Sequence, residues 1–565
     1  MIRTIIRLEF GMVFPDEKQK EIIEYLKLIS PESLLNIIGF SNSFPQPNYD
    51  NINSNIDIRN DIINRVHSYC ENNKIKIKPC VISREGSLKL AEKILANRDL
   101  LIENVKNKIV DIDSDEINLL KSFLIINEQV NKRENFSMSK DDNIEKFSEM
   151  LITMSFSNAD LGVFEGNDVE LVKLIVSTLK RFELLIDFLK SDKDYEYLEI
   201  SLFKYFNLEN SEELINETKM LLLQLLRIKT EKNGFKFKVE DEKSKLFLNS
   251  LVSNEITEDK DFLNLRNHPL YKIDDETYSI IDYFFVVDKF YKSVRFVLKD
   301  SFNKKHDLPS NDRTFFSFYN TKFSEEYLMK HILDRVFSKK YLTKKEVKET
   351  TDNEPDYYVR HNNQVFLFEN KDVLIAKEVK SSGNIETILK TFKEKFLEQK
   401  KKPIGIGQLV TTINHIVENE FKYDDYVNSK KNLTIYPILL VNDRIFEILG
   451  LNYIMNNWYL SKIKEKLRDK YNPNFIKNLI IIDIDTLIYW LPYLENNECN
   501  FKSIIDKHLS KMNNLKKPNG KTQLEIEDSV NRNIREKLSP ISYRLTGYEF
   551  PSETLIEIFK DILTE

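Results

Sequence analysis

Through the N-terminal half of the chain, apolar residues recur mainly at spacings of three and four, the period of a helix that buries one face. This pattern predicts helices over 17–29 and 32–38, parted by Ser30-Pro31, and further helices over 57–73, 86–108, 114–130, 165–190 and 210–228. Met1–Phe10 alternates loosely and reads as a strand. Two polar stretches, Ser41–Asn55 and Asn131–Asp142, predict loops, the second also an internal boundary. Tyr278–Val297 is so dense in aromatic and β-branched residues that strand and buried helix both fit it. Lys304–Asn311, reading KKHDLPSN, is a linker by composition.

Beyond that linker the texture changes. A helix is expected at 323–337, then a short Lys-rich strand near 340–348 and two strands at 356–360 and 364–371. Helices follow at 385–399 and 406–419, strands at 434–441 and 479–484, and a helical C-terminal tail. This order predicts an α/β fold with a mixed central sheet flanked by helices. The expected division is a mainly helical region at 1–310, the α/β domain at 311–500 and the tail at 501–565.

Composition narrows the class. The 565 residues allow roughly three to four domains, and 41% hydrophobic against 31% charged content suits folded units throughout. Only 12 glycines and 15 prolines exclude collagen-like and Gly-looped designs and starve any Gly-rich phosphate loop. A net charge of −6 rules out a global positive field, so any contact with nucleic acid must come from local patches. Cys70, Cys80 and Cys499 are too few and too scattered for a disulfide framework or a zinc site, which fits a reducing, cytoplasmic setting. The N-terminus carries Arg3, Arg7 and Glu9 without a small-residue cleavage site, and no apolar run reaches the length of a membrane span.

One stretch carries chemistry. Pro355-Asp356 is followed, thirteen residues after the aspartate, by Glu369, at the end of Val365-Phe366-Leu367-Phe368-Glu369-Asn370-Lys371. Four consecutive apolar residues describe a strand buried on both faces, which then ends in two charges. Positions i and i+2 of a strand share a face, so Glu369 and Lys371 point the same way. Charges at the end of a buried strand are costly unless paired or bound to metal. Converging Asp356 and Glu369 would make a hard oxygen site suited to Mg²⁺, and a neighbouring lysine could position water or stabilise charge developing on a phosphate.

This combination resembles the PD-(D/E)xK nuclease superfamily, the restriction-endonuclease-like fold, over roughly residues 320–445. The resemblance implies a restriction-endonuclease-like core in which Asp356, Glu369 and the Asn370 carbonyl bind Mg²⁺, with Mn²⁺ as a substitute, and Lys371 is the catalytic lysine. Members often add a glutamate from the helix before the sheet. Here Met329, Ile332 and Val336 define that helix's apolar face, with Glu325 near its centre and Glu326 at its edge, so Glu325 is preferred. Many members also carry a glutamine early in the helix after the lysine strand, and Gln408 stands suitably for contact with the lysine, the metal water or the phosphate. A rival pair, Glu378-Val379-Lys380, lies at an allowed distance from Asp356 but follows a weaker strand, Leu374–Lys377.

Local charge agrees with a phosphate partner. Lys322–Lys348 carries eight basic against four acidic side chains, and Lys390–Lys402 six lysines against Glu394 and Glu398. Lys339, Lys340, Lys344, Lys345, Lys400, Lys401 and Lys402 are the candidate backbone contacts. Other signals have plainer readings. The seven histidines show no metal-ligand spacing, Asp483 and Asp485 read as a solvated strand end, and the aromatics of 278–296 and 315–319 read as core. Gly520-Lys521-Thr522 lacks the upstream glycine of a phosphate loop, having Leu515 in its place.

The expected activity is metal-dependent hydrolysis of phosphodiester bonds, in DNA rather than RNA by family analogy, in a setting of prokaryotic host defence or restriction. The competing expectation is a catalytically silent nuclease fold serving as a nucleic-acid-binding or assembly scaffold. Oligomeric state stays open, with a homodimer or an activating partner both compatible with the sequence.

Overall fold

The computed structural model describes residues 6–43, 53–75, 79–104, 110–133, 143–161, 167–230, 235–340, 342–345, 355–430, 432–496, 500–514, 517–545 and 559. Contacts divide the chain into two compact units. One joins Arg3–Asn135 to Asp160–His306, and the other joins Phe136–Ala159 to Asp307–Lys560. The expected linker falls at the junction between them. The serial division differs in two respects: 136–159 joins the C-terminal half, and the tail from 501 packs into the same unit as the sheet. The chain is mixed α/β and mostly helical, with a mixed five-stranded sheet. Among the described residues no helix is long and apolar enough to cross a membrane.

The first unit is built mainly of helices, the longest at Ile56–Asn72, Ile112–Arg133, Asn167–Lys190 and Ser211–Thr230. The expected 86–108 helix ends at Ala96 and continues only as a wide turn at Asp99–Glu103; 105–109 lie outside the described residues. Of the expected N-terminal strand, Ile6–Arg7 pairs in parallel with Pro79–Cys80, and the chain turns helical at Phe10. Tyr278–Val297 proves to be strand and helix in turn. Thr277–Ile280 is the middle strand of a small antiparallel sheet, and Asp282 then caps a helix that starts at Tyr283, its Oδ1 accepting from the Phe284 and Phe285 amides. Buried guanidinium groups tie the unit together: Arg266 pairs with Asp160 and Asp288, and Arg84 pairs with Asp282 and donates to the Leu161 carbonyl.

The second unit carries the five-stranded sheet. Its strands are β1 (Thr343–Lys345), β2 (Tyr357–His361), β3 (Gln364–Lys371), β4 (Thr434–Val441) and β5 (Ile480–Asp483), in spatial order 5-4-3-2-1. β1, β2 and β3 are antiparallel neighbours, while β3, β4 and β5 run parallel. Its helices include α1 (Ile144–Phe156), α2 (Thr314–Val336), α3 (Lys377–Lys380), α4 (Ile385–Phe396), α5 (Ile406–Val417), α6 (Leu451–Leu467), α7 (Ile484–Tyr489), α8 (Phe501–Asn513) and α9 (Gln523–Leu538). α2 runs unbroken through Thr314–Phe318, Tyr319–Met329 and Lys330–Val336, its middle stretch wound in wide π turns.

Alternation along β3 explains the two layers. Val365 and Leu367 face a core made with α1, α4, α5 and α6, whose members include Ile152, Phe392, Leu409 and Tyr459. Phe366 and Phe368 face the other way, against Phe337 at the end of α2 and Phe501 at the start of α8. All four are 3% exposed or less, so β3 is buried on both faces as its apolar run demands. The edge at β5 is closed by side-chain amides: Asn452 donates to the Leu479 carbonyl and accepts from the Ile481 amide, and Asn456 accepts from the Leu479 amide.

Asp483 and Asp485 are not a solvated strand end. Both are buried, and Asp483 caps α7, because β5 passes directly into that helix. Gly520-Lys521-Thr522 has a capping role, with Thr522 and Glu525 forming the reciprocal box that opens α9.

His508 on α8 is fully buried, accepting at Nδ1 from Arg544 and donating at Nε2 to Asn452. Burial, with Arg544 alongside, pushes its pKa down to about 3. A histidine held neutral in the fold protonates first in the unfolded chain, so the stability it confers is present above about pH 6.5 and drains as pH falls from there towards 3. Between pH 7 and pH 5 this group should remove about 2 kcal/mol. Denaturant titrations at both pH values check this, and His508→Gln should flatten that part of the slope.

Candidate active site

Register brings the candidate carboxylates together. Tyr357 of β2 pairs with Phe368 of β3, so the next rung of the antiparallel ladder sets Asp356 opposite Glu369. Asp356 Oδ2 accepts the Asn370 amide at 2.7 Å, which fixes its carboxylate beside the end of β3. Lys371 lies on the same face as Glu369 and points its Nζ back to it, 3.3 Å from Oε2 and 3.9 Å from Asp356 Oδ2. Glu369 is completely buried, whereas Asp356 and Lys371 keep 12% and 19% of their side-chain exposure. What exposure the group has is therefore at Asp356 and Lys371.

The second Glu369 oxygen, Oε1, is buried and has no hydrogen-bond partner. A buried anionic oxygen left unpaired is costly, and such exceptions in a well-packed core call for an explanation. Burial, aggravated by Asp356, holds the Glu369 carboxyl well above the ordinary range despite Lys371. Burial also raises Asp356, opposed by Lys371, the Asn370 amide and the neighbouring Glu369 carboxyl. Lys371 is raised, its partners Asp356, Glu369 and Glu325 outweighing its own burial.

Glu325 joins this field from the π-wound stretch of α2. Burial, then Asp356, pushes its pKa up to about 7. Glu326, one residue on, is exposed and paired with Lys322 at 2.8 Å. What holds α2 here is a clamp that the sequence reading missed. Asp372, buried and next after Lys371, accepts Ser324 Oγ at 2.6 Å through Oδ2 and Asn320 Nδ2 at 2.7 Å through its main-chain oxygen. Its only sequence signal was a third charged residue in a run that should end a buried strand. Asn442, just past β4, likewise orients Asn370 by donating to its Oδ1 at 2.6 Å.

Gln408 is differently employed. Its Oε1 accepts the Gly405 amide at 2.7 Å and so caps α5. It bears on the site through that turn, since a Cβ placed on Gly405 would lie 3.4 Å from Lys371 Cε. The rival pair does not converge. Glu378-Val379-Lys380 forms one helical turn, α3, with Glu378 exposed and Lys380 buried, because positions two apart on a helix point away from each other.

The basic candidates separate into two groups. Lys400, Lys401 and Lys402 are exposed on a small hairpin just before Gly405. Lys339 lines a cavity with Phe337, His361, Gln364 and Phe501, at the opposite end of β3, about 23 Å of strand from Lys371. Lys340 is exposed on the same connection, and Lys344 turns to Asp334, 3.4 Å from its main-chain oxygen. The Lys345 side chain, Cys499, Leu515 and residues 346–354 lie outside the described residues.

Asp356 and Glu369 offer only oxygen donors, the kind that suits a hard cation such as Mg²⁺, and Glu369 Oε1 has no donor from the protein. Among the described residues no three His, Cys, Asp or Glu side chains close around a common metal position, so Asp356 and Glu369 would be its side-chain ligands. No known family, curated protein or solved structure matches this chain.

Proposed function

We propose that the second unit is a metal-dependent nuclease with a restriction-endonuclease-like core, hydrolysing phosphodiester bonds in nucleic acid, with DNA the favoured substrate. The observation that carries this reading is a fully buried Glu369 with an unpartnered oxygen, set against Asp356 and touched by Lys371. A structural ion pair would satisfy its acceptors; here Oε1 has no hydrogen-bond donor and the carboxyl stands beside a second one, Asp356. Asp356, Glu369 and the Asn370 carbonyl would hold Mg²⁺ or Mn²⁺. When bound there, the ion would polarise the scissile phosphate and lower the pKa of a water.

The remaining work falls to side chains. Lys371, tethered to both carboxylates but partly exposed, would orient the attacking water and stabilise charge on the phosphate through its ammonium. Glu325 would hold the outer edge of the water shell. The first unit is then a candidate for targeting or activation, as in host defence. The decisive experiment is cleavage of linear, circular and single-stranded DNA and of RNA, with Mg²⁺, Mn²⁺ or chelator, by wild type and Lys371→Ala. Divalent-dependent cutting that drops on the order of 10²–10³-fold in the variant is expected. Binding without cutting in any metal would instead identify a scaffold.

The clamp on α2 gives a further expected outcome. Ser324→Ala removes the hydroxyl that fixes the turn before Glu325 while leaving every proposed ligand in place. Loss of such supporting partners typically lowers activity or metal affinity 10–100-fold. A titration of cleavage rate against Mg²⁺ should show that loss, and Ser324→Thr should restore most of it.

A further inference from the structure

The hairpin before α5 joins Glu398–Gln399 to Lys402–Pro403 through a loop of two residues, Lys400 and Lys401. Both loop residues have positive φ, 48° and 67°. That is the primed turn which suits the twist of a two-residue hairpin, and its usual occupants are Asn and Gly because side chains are strained there. Here two lysines occupy it, both exposed. Strained residues held in place by their surroundings are a recurrent mark of function.

The surroundings do hold them. The Ile404 amide bonds back to the Leu397 carbonyl at 3.1 Å, and Gly407 packs so tightly under the hairpin that an added Cβ would lie 2.5 Å from the Leu397 oxygen and 2.8 Å from Pro403. Gly405, four residues beyond Lys401, lies close enough to the Lys371 side chain that an added Cβ would stand 3.4 Å from its Cε. The tip therefore stands within about 13 Å of chain from the wall of the candidate site. On B-form nucleic acid this reach corresponds to about four nucleotides at 3.4 Å each.

We infer that Lys400 and Lys401 form a rigid phosphate clasp, which grips the backbone of the nucleic-acid strand a few nucleotides from the bond placed at Asp356, Glu369 and Lys371. This rests on the nuclease reading for the position of that bond, and on the hairpin alone for the grip. Lysine is a point charge without the forked geometry that reads base edges, so the clasp is indifferent to sequence.

The test replaces the two lysines by the pair the turn prefers. Lys400→Asn with Lys401→Gly removes both charges and relieves the strain, so its thermal midpoint should equal or exceed that of the wild type. Binding of two unrelated 30-base-pair duplexes, and of the matching single strand, is measured in chelator from 50 to 200 mM salt. The variant should bind at least tenfold more weakly at 100 mM, equally for both duplexes. Its log K against log salt should be shallower by about 1.8 on duplex and about 1.4 on single strand, two phosphates' worth. Lys400→Arg with Lys401→Arg keeps the charges and should bind like wild type, and a cleavage assay should assign the loss to KM rather than kcat. Unchanged affinity and slope in the Asn-Gly variant would overturn the clasp even if the wild type cleaves. A reduced slope in a protein that cuts nothing would keep the clasp and remove the catalytic reading. A wild type that binds no nucleic acid overturns the clasp as well.

Discussion

Glu369→Gln is expected to abolish divalent-dependent cleavage and, in chelator, to raise the thermal midpoint of the protein. The two effects have one cause. Glu369 is buried at the end of β3 with an unpartnered oxygen, beside a second, largely buried carboxylate, and among the described residues Lys371 is the cation that contacts the pair. Without metal, three acidic groups share that lysine, counting Glu325. The amide keeps the shape, still accepts from Lys371 and can donate to Asp356, which turns a like-charge contact into a hydrogen bond. Relief of this kind, where a site has been optimised for activity rather than stability, gives about 1–2 kcal/mol. For a domain of this size that corresponds to a rise of roughly 2–8 °C.

Metal should reverse the order. Mg²⁺ binds only the folded wild type and should raise its midpoint with concentration, whereas the variant should hardly respond. Activity should fall more than about 100-fold, since loss of an outer supporting partner already reaches that range. The measurement is a pair of melts, with chelator and with Mg²⁺, beside a cleavage assay. A variant that melts lower than wild type in chelator would mean the carboxylate is a structural partner, and the metal reading would lose its main support.

The same residues show what could be read from sequence and why. Val365–Phe368 announced β3 because a strand covered on both faces must be apolar at every position, and the abrupt Glu369-x-Lys371 then had to be a strand end. Asp356 was legible through its order and spacing, and β2–β3 register brings it opposite Glu369. Long-range partners were not legible. Asp372 looked like one more charge beyond the strand, and its role depends on Ser324 and Asn320, which lie about fifty residues earlier. Gln408 carried the right residue type at the right place, yet a helix start also needs a cap, and sequence cannot separate the two uses.

Helix α6 shows a different limit. Its sequence, LNYIMNNWYLSKIKEKL, lacks the clean apolar stripe that marks a core helix, and its span suggested no element. The reason is that part of its buried face is polar. Asn452 and Asn456, one turn apart, are buried to complete the hydrogen bonds of β5 and so mimic a solvated face in the pattern. α1 was missed for another reason: its partners, Phe392 of α4 among them, lie more than two hundred residues away. Nothing local tells a helix which unit it will join.

Gly405→Ala should damage both the fold of the second unit and its candidate site. Gly405 has φ +49° and ψ −102°, a conformation that side chains rarely adopt, so alanine is strained before any contact is considered. Its Cβ would also sit 2.9 Å from the Phe396 carbonyl oxygen, which is backbone and cannot step aside, and 3.4 Å from both Leu439 Cδ1 and Lys371 Cε. Strain and overlap together should cost about 2–4 kcal/mol, or roughly 5–15 °C in the melt. The turn can relieve the clash only by moving away from Phe396, which carries the Gln408 cap and the wall behind Lys371 with it. A displacement of about 1 Å at a catalytic group commonly lowers rates 10²-fold, so cleavage should fall by that order even below the melting range. Gln408→Ala is the control for the cap alone: it leaves Gly405 unstrained and should cost about 1 kcal/mol with a smaller loss of rate. Equal effects from the two substitutions would show that the cap, and not the approach of backbone to Lys371, sets the geometry. A Gly405→Ala protein with wild-type melting and rate would show that neither does.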